Sequence, residues 1–291
     1  GRRYGEIWGL KSANFTVRRG ELVVLVGPNG AGKTTTVKIL TTILKPSKGR
    51  ANILDMDIIK HYKRIRRRIA YLPQDYYTPS DITPKEFITW NLVARGWSLS
   101  SAKVQARKWL ELLQIWDIKD KPCRTLSGGQ RRRVAVAVTL SSEADIIFLD
   151  EPTTGLDPEI KQVVWRVIRE AVSNGSSILL TTHDMREAEI LADRVVLINN
   201  GITVVEDEPK RILNLIPFKY KVIVKNSKEM KEIDFPSINL GDRLIIYAKD
   251  DEDIHQIIDN INLERSSYSI EKTGLEDAYL YIIKGDFYGS N

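Results

Sequence analysis

Cysteine is almost absent from this chain of 291 residues, which contains only Cys123. A lone cysteine cannot form a disulfide within the chain, which excludes small secreted domains held together by disulfides and suits a reducing compartment. We expect Cys123 to be a packed, unreactive side chain. Apolar runs long enough to cross a bilayer are also lacking, and the first residues show no signal-peptide pattern.

Charge of one sign is not strongly in excess, since 44 Lys and Arg stand against 38 Asp and Glu. This small basic excess is compatible with nucleic acid, with anionic lipid headgroups or with neither. Its densest part is the basic run 61–68, for which a solvated helix face is a simpler interpretation than a nucleic-acid patch. A hydrophobic fraction of 42% is sufficient for a substantial core, in one large domain or two.

A glycine-rich segment lies between a predicted strand and a predicted helix. Residues 21–26 are apolar after the initial Glu21, as in a buried strand, and residues 33–44 repeat apolar side chains at helical spacing until Pro46. Between them, residues 27–34 match the phosphate-binding pattern G-x-x-x-x-G-K-[ST], the P-loop. A plain glycine-rich turn before a helix is the alternative, and the flanking strand and helix favour the P-loop.

The residue types of a P-loop suit a nucleotide phosphate. Glycines let backbone N–H groups point at an anion, and the N-terminus of the following helix adds partial positive charge. The ammonium of Lys33 can reach the β- and γ-phosphates, and the hydroxyl of Thr34 can ligate Mg²⁺. The nucleotide contacts expected from this loop are Asn29, Gly30, Ala31, Gly32, Lys33, Thr34 and Thr35.

Further apolar runs end in polar side chains. The predicted strands and the polar residues that follow them are 69–72 with Gln74, 145–149 with Asp150 and Glu151, and 177–182 with His183. Residues 194–198 and 202–205 predict a hairpin, and residues 15–17 predict a short strand near the N-terminus. Because predicted helices alternate with these strands, we expect the α/β class, with a parallel sheet wrapped by helices.

The character of the sequence changes twice along the chain. Residues 76–143 are mostly helical in pattern and contain a capping box that begins at Thr83, which predicts a helical insert. Two prolines that bracket a short helix mark a boundary near residue 216. We therefore expect one domain of residues 1–216 and a small α+β domain of residues 217–291, in which we find no chemical motif.

Residues 126–130 read Leu-Ser-Gly-Gly-Gln. With the P-loop, the glutamine, the acidic pair and the histidine named above, all in this order, the sequence resembles the nucleotide-binding domain of ABC transporters over about residues 3–215. The resemblance implies an ATP hydrolase that uses Mg²⁺, with a parallel sheet core, antiparallel N-terminal strands and a helical insert. A P-loop kinase, another class with this loop, offers no account of residues 126–130.

The resemblance implies a role for each polar residue that follows a predicted strand. Asp150 lies where a carboxylate at a strand end can hold Mg²⁺. Glu151 resembles the general base that activates the attacking water, and a surface acidic pair is the alternative. Gln74 resembles a glutamine that ligates Mg²⁺, and His183 a histidine that contacts the γ-phosphate, although a lone histidine after a strand is usually structural. The implied catalytic residues are Glu151, His183 and Gln74, and the implied metal ligands are Thr34, Gln74 and Asp150.

The segment 127–130 opens a predicted helix, whose N-terminus offers a second anion site. A chain with one P-loop has no evident use for that site. The family's head-to-tail dimer resolves this, because the segment of one subunit caps the γ-phosphate held by the other. Asp157 resembles a residue of that interface, and Tyr4 an aromatic that stacks on adenine, with a core tyrosine as the alternative. The nucleotide contacts implied outside the P-loop are Tyr4, Ser127, Gly128, Gly129, Gln130 and Asp157.

Several segments resemble the drug-resistance type of ABC exporter ATPase, which carries a small C-terminal domain and docks onto a separate transmembrane permease. They are residues 155–158, 181–185, 187–189, 191–194 and 275–278. The resemblance implies a cytoplasmic subunit, peripheral on the inner face of the cell membrane, with no nucleic-acid partner. Tyr76, Tyr77 and Ile82 lie where a permease helix would be expected to dock, with core packing as the alternative.

The main alternative function is a soluble ABC ATPase that acts on ribosomes or nucleic acid. That class usually carries two such domains in one chain or a long coiled coil, and this sequence shows neither. Only the basic runs 63–68 and 131–133 favour it.

Overall fold

The computed structural model describes residues 1–225, 234–261 and 267–284. The chain divides into two compact units, Gly1–Glu206 and Asp207–Asn291. No helix within the described residues has the length and apolar character of a membrane span.

A parallel sheet forms the centre of the first unit. The strands up to residue 207 are β1 (Arg2–Tyr4), β2 (Ile7–Leu10), β3 (Leu22–Val26), β4 (Asn52–Ile53), β5 (Met56–Asp57), β6 (Ile69–Leu72), β7 (Ile146–Asp150), β8 (Ser177–Thr182), β9 (Arg194–Asn199) and β10 (Ile202–Asp207). Strands β9, β3, β8, β7 and β6 lie side by side in that order and are parallel, and β10 extends the sheet beside β9. Strands β1 and β2 pair antiparallel, as do β4 and β5. The expected parallel core and antiparallel N-terminal strands are confirmed.

The register of the sheet brings the ends of four strands to one edge. Leu72 pairs with Leu149, Asp150 with Thr181, and Val26 with Thr182. Because these strands run in the same direction, the loops that follow β3, β6, β7 and β8 all leave the sheet at this edge. The polar residues that follow each strand are therefore neighbours in space.

The strand predicted over residues 15–17 is not formed. The backbone N–H of Thr16 donates to Glu206 Oε1 at 3.2 Å, and its carbonyl accepts from Arg194 Nη1 at 3.2 Å. Two polar side chains of the sheet satisfy this backbone in place of a neighbouring strand, which a pattern of apolar residues does not reveal.

Helices cover the sheet and form the insert. They are α1 (Lys33–Leu40), α2 (Tyr62–Arg68), α3 (Pro84–Ala94), α4 (Leu99–Leu112), α5 (Gly128–Leu140), α6 (Pro158–Ser173) and α7 (Met185–Leu191). Helix α1 ends earlier than the predicted residue 44, because Thr42 has a left-handed backbone with φ of 62°. The capping box that begins α3 is formed between Thr83 and Glu86, as predicted.

The insert has a core of its own, built from α3, α4 and α5. Ile88, Leu92 and Trp109 are buried in it. Cys123 is also fully buried, and burial raises the pKa of its thiol. Because the thiolate is the reactive form, this cysteine is the inert packed side chain that the sequence predicts.

The second unit is an antiparallel sheet with helices. Its elements are α8 (Pro209–Leu213), β11 (Tyr220–Lys225), β12 (Ser237–Asn239), β13 (Arg243–Ala248), α9 (Asp251–Asp259), β14 (Ser267–Lys272) and α10 (Leu275–Lys284). The strand order is β12, β13, β11, β14, and each neighbouring pair is antiparallel. Helix α8 packs against α10 and therefore belongs to this unit, whereas the boundary expected after residue 216 follows α8. The sequence does not show which partner this short helix packs against.

A buried network of one ion pair and several hydrogen bonds links the start of α10 to this sheet. Asp277 is buried and accepts hydrogen bonds from Lys221 Nζ at 2.9 Å, the Tyr247 hydroxyl at 2.9 Å and the Gly274 N–H at 2.8 Å. Burial and the nearby Asp277 carboxylate raise the pKa of Tyr247, so its hydroxyl remains a donor. The charge of Asp277 is thus compensated by donors from a helix turn and two strands.

We expect Asp277→Asn to destabilise the second unit by about 3 kcal/mol, because Lys221 loses its buried counter-ion. Hydrogen exchange of residues 207–284 should accelerate about 100-fold, since roughly 1.4 kcal/mol corresponds to a factor of ten. All six tryptophans precede residue 207, so their fluorescence should report an unchanged first unit. Glu276→Gln is the control, because Glu276 is the exposed neighbour of Asp277. Equal hydrogen-exchange rates in the two variants would contradict a structural role for the buried network.

Candidate active site

The loop between β3 and α1 has the geometry that its glycines predict. Gly32 caps α1 with φ of 104°, and a Cβ there would lie 2.8 Å from the carbonyl oxygen of Gly9. A Cβ on Gly27 would lie 2.0 Å from the carbonyl oxygen of Ile198. Neither position has room for a side chain, so the backbone itself forms the wall of the loop. The first N–H groups of α1 lie directly behind it, where helix N–H groups lack partners within the helix.

Lys33 extends back along this loop. Its ammonium donates to the carbonyl oxygens of Gly27 at 2.8 Å and Pro28 at 3.1 Å, and lies 3.7 Å from Glu151 Oε1. Burial lowers the pKa of Lys33, and the carboxylates of Glu151 and Asp150 oppose this by favouring the charged form. A phosphate held by the loop would contact both this ammonium and the N-terminus of α1.

Three oxygen-bearing side chains meet beside the loop. The Thr34 hydroxyl lies 3.2 Å from Asp150 Oδ1 and 3.5 Å from Gln74 Oε1. Thr181 donates a further hydrogen bond to Asp150 Oδ1 at 2.5 Å. Burial raises the pKa of the Asp150 carboxyl, and the hydrogen bonds from Thr181 and Thr34 act in the opposite direction. Thr34, Gln74 and Asp150 are the metal ligands that the family resemblance implies, whereas the contact with Thr181 is not predicted from the sequence.

The second oxygen of the Asp150 carboxylate is suited to a cation. Asp150 Oδ2 is buried and has no hydrogen-bond partner among the described residues. A buried carboxylate oxygen without a donor is costly, and a cation would satisfy it. The described residues hold no cluster of three or more His, Cys, Asp or Glu side chains. One carboxylate with hydroxyl and amide oxygens fits Mg²⁺, which is typically held by one or two carboxylates together with substrate phosphates.

Glu151 and His183 are in direct contact. His183 Nδ1 lies 2.7 Å from Glu151 Oε2, and Thr154 donates to the same oxygen at 2.9 Å. The Glu151 carboxylate is 6% exposed, whereas the His183 ring is about half exposed. The backbone of Glu151 is left-handed, with φ of 56°, an arrangement that costs about 1–2 kcal/mol for a residue with a side chain. This turn directs Glu151 away from Asp150 and towards Lys33 and His183.

The segment 127–130 lies outside this cluster. Within the described part of the chain, no hydrogen bond or ion pair joins it to residues 27–35. Ser127 caps α5 by accepting from Gln130 N–H at 3.2 Å, while Ser127 N–H donates to Gln130 Oε1 at 2.9 Å. Asp157 likewise caps α6, accepting from Ile160 N–H at 3.0 Å. These residues are solvent-accessible, so their remaining donors can meet a ligand or a second subunit.

Tyr4 lies beside the loop and not in the core. Its ring is 45% exposed and packs over Gly9, where a Cβ would be 2.8 Å from the ring and 3.6 Å from Thr35 Oγ1. The guanidinium of Arg2 lies 5.2 Å from the ring centroid. An exposed aromatic face near the start of α1 is a suitable platform for a nucleotide base.

The expected docking segment is only partly exposed. Tyr77 is 77% exposed, whereas Tyr76 is half-buried and donates to the carbonyl oxygen of Gly128 at 3.1 Å. Trp90 on α3 is also exposed, at 56%. Exposed aromatic side chains of this kind are enriched at protein interfaces.

Several contributors to the site escaped the sequence analysis. Thr181 and Thr154 support the two carboxylates, and Arg132 contacts the backbone of both. Thr181 is the partner of Asp150 in the sheet register, which depends on the strand order. Arg132 is the middle one of three consecutive arginines, and nothing in the sequence distinguishes it from its neighbours.

Comparison with known proteins assigns the class. A sequence profile described as ABC transporter matches residues 10–154. The chain is 38% identical over 214 residues to the Nod factor export ATP-binding protein I of Ralstonia nicotianae, covering 73% of this chain and 66% of that protein. It is 35% identical over 242 residues to the doxorubicin resistance ATP-binding protein DrrA of Mycobacterium tuberculosis, covering 82% of this chain and 72% of that protein. The chain thus spans 66% and 72% of the lengths of these two relatives.

Solved structures agree with this class. The fold is similar to that of an ATP binding subunit of an ABC transporter, with a TM-score of 0.68 and 27% identity over 74% of this chain and 89% of that chain. It is also similar to the dimeric ATP-binding cassette MJ0796 in a post-hydrolysis state with ADP and Pi, with a TM-score of 0.65 and 26% identity over 71% of this chain and 94% of that one. The chain belongs to the ABC transporter family, and its first unit is an ATP-binding and ATP-hydrolysing cassette of that family.

We expect Asp150→Asn to raise the stability of the nucleotide-free protein at neutral pH. Burial raises the pKa of Asp150, so its ionised form costs stability as the pH rises above the unfolded pKa. Removing the buried charge should raise the free energy of unfolding by about 1 kcal/mol, which corresponds to a melting temperature about 2–4 °C higher. This gain in melting temperature should shrink as the pH falls, because the wild-type carboxyl then becomes protonated. The variant should also lose the Mg²⁺-dependent part of its stabilisation by ATP.

Asp145 provides the control for this prediction, because it directly precedes β7, the strand that ends with Asp150. Arg68 lowers the pKa of Asp145, so Asp145→Asn should reduce stability above the acid range and have the opposite sign. Thermal melts at several pH values, with and without ATP and Mg²⁺, compare the two. A lower melting temperature for Asp150→Asn at neutral pH would contradict the proposed cost of its buried carboxylate.

Proposed function

We propose that this chain is the ATP-hydrolysing subunit of an exporter, which binds ATP with Mg²⁺, closes as a head-to-tail dimer and drives a separate transmembrane permease. One observation carries the proposal. The P-loop, the oxygen cluster around Asp150 and the Glu151–His183 pair meet at one sheet edge. Among the described residues, the partly exposed segment 127–130 makes no hydrogen bond or ion pair with the P-loop of its own chain. Export is supported by the name of the Nod factor export relative, and the drug resistance named for the second relative is compatible with it.

The chemistry follows from the positions of the side chains. Lys33 and the start of α1 hold the β- and γ-phosphates, and Thr34, Gln74 and Asp150 hold the Mg²⁺ that arrives with them. When bound, Mg²⁺ neutralises phosphate charge and aligns the phosphate oxygens. Glu151 accepts a proton from the attacking water as the water oxygen bonds to the γ-phosphorus. The bond between that phosphorus and the bridging oxygen breaks at the same time, and ADP is the leaving group.

The half-exposed His183 ring keeps Glu151 oriented for this proton transfer and faces the space where the γ-phosphate would lie. Tyr4 stacks on the adenine from the N-terminal hairpin.

The dimer follows from the exposed helix starts. The N-terminus of α5 offers backbone N–H groups and the Ser127 hydroxyl to an anion, and a second copy can present a γ-phosphate to it. Asp157 would lie at the same interface. The dimeric state of MJ0796, a structural relative, supports this arrangement. ATP therefore stabilises the closed pair, and hydrolysis releases it.

Docking to a permease would use the exposed aromatic side chains near Tyr77. The subunit would then lie on the inner face of the cell membrane, and no nucleic-acid partner is expected. A soluble ATPase that acts on ribosomes is the alternative, and the named relatives do not favour it. Sedimentation of the protein with membranes or with ribosomes, after expression beside its native neighbours, distinguishes the two.

We expect Glu151→Gln to bind ATP normally but to reduce turnover by a factor of 100 or more, roughly the range for loss of a general base. Glutamine has nearly the same shape and cannot accept the proton. Mass in solution with ATP and Mg²⁺ should shift from monomer to dimer, because hydrolysis no longer releases the pair. Glu159→Gln removes an exposed carboxylate nearby and should behave as wild type. Wild-type turnover by Glu151→Gln would remove this residue from the role.

We expect Lys33→Ala to weaken ATP binding about 10- to 100-fold, because a charged hydrogen bond of roughly 1.5–3 kcal/mol is lost. Lys45→Ala removes the same charge from an exposed position after α1 and should leave affinity unchanged. A binding titration without hydrolysis compares the two variants. Equal affinities would contradict the phosphate-binding role of the loop.

A further inference from the structure

Arg132 is a buried cation at the junction of three parts of the site. Its side chain is 4% exposed and starts from α5, one turn after the helix begins at Gly128. The guanidinium reaches backbone carbonyl groups that follow two different strands of the sheet. Its carbonyl partners are Pro152 at 3.0 Å from Nε, Gln74 at 3.1 Å and Pro73 at 3.5 Å from Nη1, and Asp150 at 3.1 Å and Glu151 from Nη2.

The contacts of this guanidinium differ from those of an ordinary ion pair. Within the described residues, no carboxylate oxygen lies in salt-bridge contact with Arg132. Burial lowers its pKa, and the charges of Asp150 and Glu151 act against that effect. A buried cation is tolerated only when its donors are satisfied, and here the planar fork of the guanidinium is matched to carbonyls on both sides.

Tyr76 covers this guanidinium from the Gln74 loop. The ring centroid lies 4.8 Å from the guanidinium carbon, and the Tyr76 hydroxyl donates to the carbonyl oxygen of Gly128. The loop after β6 is therefore joined to α5 twice, through the guanidinium of Arg132 and through the hydroxyl of Tyr76. It cannot shift relative to α5 without breaking these contacts.

The bonds from Nη2 act on the strained part of the site. They go to the carbonyl oxygens on either side of Glu151 Cα, namely those of Asp150 and Glu151 itself. Glu151 has a left-handed backbone, and such a conformation needs support from its surroundings to persist. Fixing both carbonyls fixes the direction in which the Glu151 side chain leaves the backbone.

We propose that Arg132 is a positioning residue for ATP hydrolysis: it holds Glu151 in its active direction and makes that direction depend on the position of α5 and of the Gln74 loop. The inference rests on the proposed role of Glu151 as general base. In this arrangement, a shift of the helix that carries Ser127 is passed to Glu151 through one side chain. Displacement of a reacting group by about 1 Å can cost 100-fold in rate, so a small shift is sufficient.

The test replaces the branched guanidinium of Arg132 by a single ammonium group and keeps the positive charge. Arg132→Lys should reduce kcat per bound nucleotide about 10- to 100-fold while the Kd for ATP stays within about threefold, because one ammonium cannot bridge both sets of carbonyls. Arg133→Lys is the matched control, since among the described residues the neighbouring guanidinium donates only to the carbonyls of Leu113 and Gln114 within the insert. Equal kcat in the two variants would overturn the proposal, and wild-type protein that neither binds nor hydrolyses ATP would instead overturn the proposed function.

A double variant separates positioning from general support of the fold. If Arg132 acts through Glu151, adding Arg132→Lys to Glu151→Gln should change kcat by no more than about threefold, because the group to be positioned has already lost its function. Independent losses that multiply would show that Arg132 acts elsewhere, and would overturn the proposal. This comparison needs the residual turnover of Glu151→Gln, measured with radioactive ATP.

A second substitution covers the case in which Arg132→Lys does not fold, which a loss of ATP binding would reveal. Tyr76→Leu leaves the five carbonyl bonds in place and removes the ring over the guanidinium. A cation–π contact of roughly 1 kcal/mol predicts a loss in kcat of about three- to tenfold at unchanged Kd. Wild-type kcat in Tyr76→Leu would then count against the proposal.

Discussion

The parallel register of four strands is the constraint on which the site depends. Leu72, Asp150 and Thr182 end neighbouring strands at one edge, and each strand continues into a loop with a different chemical task. The strands themselves are buried, with every residue of β3 inaccessible to solvent. A rigid buried sheet therefore holds groups from distant parts of the sequence within hydrogen-bond distance, as the contact between Thr34 and Asp150 shows.

Several features of this edge oppose stability in the nucleotide-free protein. Asp150 has a buried oxygen without a donor, Lys33 and Arg132 are desolvated cations, and Glu151 has a strained backbone. The donorless oxygen of Asp150 and the strained backbone of Glu151 each cost on the order of 1 kcal/mol or more, which a core selected for stability alone would avoid. A nucleotide with Mg²⁺ would complement Lys33 and Asp150 together, since its phosphates would meet the ammonium and its metal would meet the carboxylate.

The sequence revealed those parts of the molecule that depend on local chemistry. The P-loop, the polar strand ends and the capping box at Thr83 each have a local residue pattern, and in the structure each lies at the element predicted for it. Parts that depend on tertiary partners were missed. Residues 15–17 are satisfied by side chains of the sheet, α8 packs with a later helix, and Arg132 differs from its neighbours only in what surrounds it.

The start of α5 shows why one short segment combines structure and function. Ser127 and Gln130 satisfy each other's backbone donors, which any helix of this kind needs, so their residue types have a sufficient reason within the isolated chain. Yet capping leaves the Ser127 hydroxyl hydrogen and the N–H groups of Gly128 and Gly129 available, and a helix N-terminus favours negative charge. The same residues that begin the helix can therefore bind a phosphate from a second chain, and Arg132, one turn further along, is placed to pass that contact to Glu151.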